Sequence, residues 1–200
     1  LFRILEPYRS KDGSYDVLVP SSGGKDSAFA AHLLKYKYKM NPLAITWAPN
    51  MFTRAGWNNL NNLTRVGGVD SFLYTPNGKL HRTLTSLAFK NLLHPFQPFI
   101  IGQKTIGPLF ASKFNIPLIF YGENQAEYGN PTEENSSAKM DEKFFSKSNK
   151  EEIVLSGEPI SKIMNDYDYK LSDFQHYIPT DIDDLKEKNV EQRYLGYYLK

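Results

Sequence analysis

Ser22, Gly23, Gly24, Lys25, Asp26 and Ser27 stand between an apolar run and a helical pattern, the setting in which a chain can hold a pyrophosphate. Glycines have no Cβ, so at Gly23 and Gly24 the backbone can take positive φ and bring its N–H groups close to an anion. Ser22 and Ser27 offer hydroxyls to phosphate oxygens, Lys25 adds a point charge, and the helix that follows offers its positive end. Asp26 is the odd member: a carboxylate among phosphate ligands repels them unless a cation lies between. The loop therefore points to Mg²⁺ entering with a nucleotide. The spacing matches neither the G-x-x-x-x-G-K-S/T phosphate loop nor the G-x-G-x-x-G dinucleotide loop.

The elements that must position this loop are legible as an alternation of short apolar runs and helical stripes, the signature of a parallel α/β sheet. The runs fall at 15–20, 42–48, 71–75 and 117–121. Helical patterns at 26–38, 79–93 and 103–114 carry Ala30, Leu33 and Leu34, then Leu84, Leu87, Ala88 and Leu92, then Ile106, Leu109, Phe110 and Phe114 on one face. Residues 57–66 form a weaker helical candidate because their asparagines favour turns. Ligands of open α/β sheets bind beyond the carboxyl ends of the strands, which selects the stretches 21–27, 46–54, 76–81 and 122–128. The expected organisation is a core over 1–129, a flexible polar loop or lid over 130–152, and a C-terminal extension over 153–200 that completes the domain. Within that extension a helix is expected near 159–169 and a strand over 193–199.

Two hundred residues suit one domain with a sizeable core, and 24 basic against 22 acidic residues create no demand for a nucleic-acid partner. The absence of cysteine excludes disulfides, Cys-ligated zinc, thiolate catalysis and persulfide sulfur transfer. No apolar run approaches a membrane span, and the opening residues are too polar for a signal peptide, so a cytoplasmic location is expected. A first residue other than Met reads as a piece of a longer product. His32, His94 and His176 show no metal-ligand spacing, and Asn58, Asn59, Asn61 and Asn62 read as a polar helix face. Lys79, His81 and Arg82 follow the third strand, where they would meet a substrate's phosphates or carboxylate.

The stretches YRSKDGSYDVLVPSSGGKDS, PNGKLHRTL, IPLIFYGENQAEYG and YLGYYLK together resemble the N-acetyl sugar amidotransferases of lipopolysaccharide O-antigen and flagellin-glycan biosynthesis. That family lies within the PP-loop ATP pyrophosphatases, whose SGG-x-DS signature is similar to residues 22–27. The resemblance implies a Rossmann-like, adenine nucleotide alpha hydrolase-like sheet with helices on both faces. It further implies that ATP is split between its α and β phosphates, that the acetamido oxygen of a nucleotide-linked N-acetyl sugar is adenylated, and that ammonia then gives an acetamidino sugar. Glutaminase and cyclase-like subunits supply the ammonia in that family. Carried onto this chain, the likeness implies ATP binding by residues 22–27 with Thr46, Trp47 and Gly122. It implies catalytic roles for Lys25, Asp26 and Glu123, and Mg²⁺ on Asp26 and Glu123. It also implies acceptor contacts by Asn124, Glu127 and Tyr128.

Members of that family often carry Cys-x-x-Cys where this chain has Phe96 and Phe99, which are expected to pack in an apolar cluster without zinc. Two other readings remain at this point: a tRNA-modifying PP-loop ligase, and a nucleotide-binding module without catalysis.

Overall fold

Successive apolar residues of the strands enter opposite layers, as the period of two requires. Val17, Val19, Ala44, Leu118 and Phe120 meet Leu5, Ala30, Ala31, Leu34 and Leu63 on one side of the sheet. Leu18, Leu43, Ile45, Trp47 and Ile119 meet Leu80, Leu84, Ile106, Phe110, Ile160 and Ile163 on the other. Both faces are covered, so the inner strands read as unbroken apolar runs.

The computed structural model describes residues 1–123, 146–147 and 152–198. Its first part runs α1 (Phe2–Leu5), β1 (Val17–Pro20), α2 (Lys25–His32), β2 (Pro42–Trp47), α3 (Arg54–Arg65), β3 (Asp70–Tyr74), α4 (Gly78–Leu92), α5 (Gln97–Phe114) and β4 (Leu118–Tyr121). The second part adds β5 (Ser146–Lys147), β6 (Val154–Leu155), β7 (Glu158–Pro159), α6 (Ile160–Tyr167), β8 (Thr180–Asp181), α7 (Ile182–Glu187) and β9 (Glu191–Tyr194). Five parallel strands form the main sheet in the order β3-β2-β1-β4-β9, with Leu18 opposite both Leu43 and Ile119. This is a Rossmann-like α/β fold with helices on both faces. The chain leaves β1 toward β2 and β3 on one side, then returns to β4 on the other, so the order reverses between β1 and β4. No helix among the described residues is long and apolar enough to cross a membrane.

Three elements differ from the sequence expectation. Helix α3 is complete because Thr53 accepts the Gly56 N–H at 3.0 Å and Leu60 and Leu63 are buried, which outweighs the turn preference of its asparagines. Helix α5 begins at Gln97 instead of 103, since Pro98 sits in the first turn, where a missing N–H costs nothing. The last strand is Glu191–Tyr194, not 193–199, and Leu195–Tyr197 turns as a short 3₁₀ segment. This strand is polar and gains its place by pairing with β4. Arg193 Nη2 donates to Glu191 Oε2 at 2.7 Å, and the Tyr8 hydroxyl donates to the same oxygen at 2.5 Å. The expected lid over 130–152 lies outside the described residues, apart from 146–147 and 152.

Candidate functional site

The loop after β1 is held by residues that spend their polar groups on its backbone. Ser21 N–H donates to Ile45 O at 2.8 Å, and Ser21 Oγ donates to Ser27 Oγ at 2.9 Å while accepting the Gly23 N–H at 3.1 Å. Thr46 Oγ1 donates to Ser21 O at 2.5 Å. Ser27 Oγ in turn donates to Gly24 O at 3.2 Å, and the side chain is buried. The Ser27 hydroxyl therefore braces the loop from within. Ser21 escaped the sequence reading, although a second serine directly ahead of Ser22 was visible.

Of the two loop glycines, only Gly23 needs to be one. Its φ is +81°, and a Cβ there would lie 2.6 Å from Leu60 N of α3. Gly24 has φ −68° and ψ 161°, and a Cβ would meet nothing nearer than Ser22 Oγ at 3.5 Å, so the expected positive φ is absent there. Gly24 instead serves as the N-cap of α2. It brings no side chain to the first-turn amides, whereas Thr53, Asn77 and Asp181 cap α3, α4 and α7 with theirs.

The end of β4 closes onto this loop. A Cβ on Gly122 would lie 2.6 Å from Ser27 N and still closer to the Asp26 carbonyl, so Gly122 is seated on the first turn of α2. Glu123 follows Gly122 directly in the chain, and its charge is felt at Tyr194 of β9. Lys25 Nζ and Asp26 Oδ1 are 2.7 Å apart with side chains 88% and 45% exposed, a solvated pair that contributes little to stability. Burial, with the Glu123 charge among the smaller causes, pushes the Tyr194 phenol up to about 12. Among the described residues no group of three or more His, Cys, Asp or Glu side chains gathers to hold a metal. The Asp26 carboxylate in the first turn of α2 is a donor that fits Mg²⁺, which is bound through one or two carboxylates and the substrate's phosphates more often than by an all-protein cage.

The second strand ends differently from expectation. The Thr46 hydroxyl is committed to Ser21 O, and Trp47 is 4% exposed. The Trp47 ring packs on Tyr74 at 5.1 Å, on Tyr177 at 5.3 Å and against Gly102 of α5. Both side chains are thus engaged within the protein. Trp47 belongs to the core because α5 and the segment carrying Tyr177 cover that face of the sheet.

Beyond β2 and β3 lies a cleft of about 700 Å³, walled by Ala48, Pro49, Asn50, Thr75 and Pro76 from the strand ends and by Gly78, His81, Arg82, Thr85, Ser86 and Phe89 from α4. His81 and Arg82 are thus brought together. Lys79 is not in the wall; its Nζ sits 5.9 Å from the centroid of the Tyr169 ring. His81 is buried with Nδ1 2.8 Å from the Tyr177 hydroxyl, and desolvation lowers its pKa while burial raises that of Tyr177. Phe89 carried no signal in the sequence, since an aromatic on a helix reads as core, and Tyr177 lies in a turn that the sequence shows only as an aromatic-rich connection. Asn61 Nδ2 donates to Trp57 O at 2.7 Å, a helix-surface role, while the backbone of Asn59 lies beside Gly23. Phe96 is 60% exposed, against the expected apolar cluster, while Phe99 packs on the core. Helix α5 turns Pro98 inward at this point and leaves Phe96 outside as its N-cap. Asn124, Glu127 and Tyr128 lie outside the described residues.

No family model matches the chain. It is 36% identical over 67 residues to an uncharacterized protein, MJ1599, of Methanocaldococcus jannaschii, a stretch covering 34% of this chain and 24% of that protein. The chain thus spans about a quarter of the length of the curated relative it matches.

Proposed function

We propose that this chain is an ATP-dependent amidotransferase of the PP-loop ATP pyrophosphatase type, acting on the acetamido group of a nucleotide-linked N-acetyl sugar destined for surface polysaccharide or flagellin glycan. The observation that carries the reading is the seat of Gly122 on the Asp26–Ser27 peptide. Two of the four stretches that bear the resemblance are distant in the chain, yet Gly122 of one rests on Asp26 and Ser27 of the other beside the sheet's reversal point, where such folds take nucleotides.

An amide carbonyl is a poor electrophile, so its oxygen must first become a leaving group. In the proposed reaction the acetamido oxygen attacks the α-phosphorus, the bond to the β-phosphate bridging oxygen breaks, and pyrophosphate departs with that electron pair. Ammonia then attacks the carbon, AMP leaves, and loss of a proton gives the amidine. Lys25 and the first turn of α2 would meet the charge that develops on the phosphates. Mg²⁺ held by Asp26 and Glu123 would neutralise phosphate charge as pyrophosphate leaves. Glutaminase and cyclase-like partners would deliver ammonia, and the use of ATP fits a cytoplasmic location.

The test is product analysis with ATP, Mg²⁺, ammonia and UDP-linked N-acetyl sugars. AMP and pyrophosphate in equal amounts, dependent on the sugar, are the expected result. Formation of ADP and orthophosphate, with no AMP, would refute the assignment.

A further inference from the structure

We propose that the cleft beyond β2 and β3 is the acceptor site and takes a hydroxylated, phosphorylated ligand of nucleotide-sugar size, with Arg82 supplying its charge contact. This deepens the adenylation reading above and rests on it for the role of the bound molecule.

Charge is the first argument. Among the described residues the wall contains no carboxylate, and Arg82 is the one formally charged side chain in it. Arg82 forms no ion pair among the described residues. It lies across the start of α4, where a Cβ on Gly78 would sit 3.5 Å from Nη1. His81 adds no charge at neutral pH, because burial lowers its pKa and its Nδ1 is engaged with Tyr177. A guanidinium without an ion pair and without an acid among the described residues around it attracts an anion and repels an ammonium or a metal ion.

The rest of the wall narrows the class. Thr75, Thr85 and Ser86 bring hydroxyls and Asn50 an amide. Thr85 Oγ1 already donates to His81 O at 2.8 Å, which leaves it an acceptor for a ligand hydroxyl. Pro49, Pro76, Pro95 and Phe89, the last 58% exposed, give flat apolar surface for a sugar ring, an acetamido methyl or a base.

Extent and position separate this cleft from the phosphate loop. From Gly78 to Phe89 the wall follows α4 for about 16 Å, at a 1.5 Å rise per residue, more than a nucleobase alone occupies. Its inner end is Ala48, two residues beyond Thr46, whose hydroxyl holds the loop through Ser21 O. A ligand lying along α4 would therefore point one end at the place where the α-phosphate is expected.

Calorimetric titration of the wild type with Mg-ATP and, separately, with UDP-N-acetylglucosamine tests this, alongside Arg82→Gln, Ser86→Tyr and Gly23→Ala. Arg82→Gln should weaken the sugar nucleotide by about tenfold or more and leave ATP within about twofold, as expected for one lost charge-assisted contact. Ser86→Tyr, which fills the cleft without altering charge, should do the same, and Gly23→Ala should show the reverse pattern. Both ligands should bind the wild type together. Competition between them, equal losses of both in Arg82→Gln, or sugar-nucleotide binding that is absent or indifferent to both cleft substitutions would overturn the proposal. If the sugar nucleotide binds in an Arg82-dependent way and ATP does not bind at all, the cleft stands and the adenylation reading falls.

Discussion

The loop after β1 and the cleft after β2 and β3 share one rim of the sheet and are built in opposite ways. The loop is made of backbone: Ser21, Ser27 and Thr46 turn their hydroxyls inward to fix it, and Gly23 and Gly122 are needed because other backbone comes within van der Waals distance of where a Cβ would be. Its charged side chains, Lys25 and Asp26, extend into solvent. The cleft is made of side chains on a rigid helix, with His81 and Thr85 anchored and Arg82, Ser86 and Phe89 left open. A backbone site should keep its stability when its exposed side chains change yet lose it when a single methyl is added, and a side-chain site should behave the other way round.

The largest effect is expected from that methyl. Gly122→Ala and Gly23→Ala should each cost about 2 kcal/mol or more in urea unfolding and reduce ATP affinity more than tenfold, through overpacking against Ser27 or Leu60 and, at Gly23, an unfavourable φ. Gly24→Ala, one residue along, meets no clash and should cost only the poorer N-cap of alanine, about 1 kcal/mol or less. Equal damage from all three would erase the distinction between required and incidental glycines.

Next in size is Ser21→Ala. It removes the acceptor for the Gly23 N–H and the donor to Ser27, and should cost about 1–3 kcal/mol in the same unfolding assay. An unchanged midpoint would mean that the loop holds its shape without that bracing.

The cleft side is sharpened by pH. Burial lowers the pKa of His81, and burial followed by the Lys113 charge lowers that of His176. The unfolded chain therefore takes up protons on these rings before the folded one does. The folded state should keep full stability above about pH 6.5 and lose it as pH falls through the depressed folded values. Chemical unfolding at pH 8, 6.5 and 5 should show that fall, and His81→Phe should make it shallower. A fall of the same steepness in His81→Phe would assign the sensitivity to His176 or elsewhere.

The smallest stability change is expected for Lys25→Ala. The Lys25–Asp26 pair is solvated, so unfolding should shift by less than about 0.5 kcal/mol while ATP binding weakens. A large loss of stability would show that the lysine has a structural role.

How much of this was legible beforehand varies by element. The three inner strands, β1, β2 and β4, and the alternation of their side chains between the two layers follow from short apolar runs separated by helical stripes. The β9 strand was misplaced because its residues, Glu191 to Tyr194, have no apolar pattern; only the open edge of β4 and the Tyr8–Glu191–Arg193 bonds make them a strand. Trp47 was given to the ATP site by the resemblance, and nothing local says that Tyr177 and Gly102 will enclose it.

By itself the amino-acid sequence determined the chemistry that depends on neighbours in the chain: a strand running into Ser-Ser-Gly-Gly-Lys-Asp-Ser and then a helix, and a chain without cysteine. Bond geometry makes those relations local, since φ at Gly23 and the start of α2 are set within a few residues. Tertiary structure alone decided that Gly122 rests on Asp26, that Ser27 turns inward, that Phe96 stays outside, and that Arg82 and Phe89 line one cleft. Each of those outcomes depends on which surfaces meet across the sheet. Burial energy depends on those surfaces, and no window of consecutive residues contains both of them.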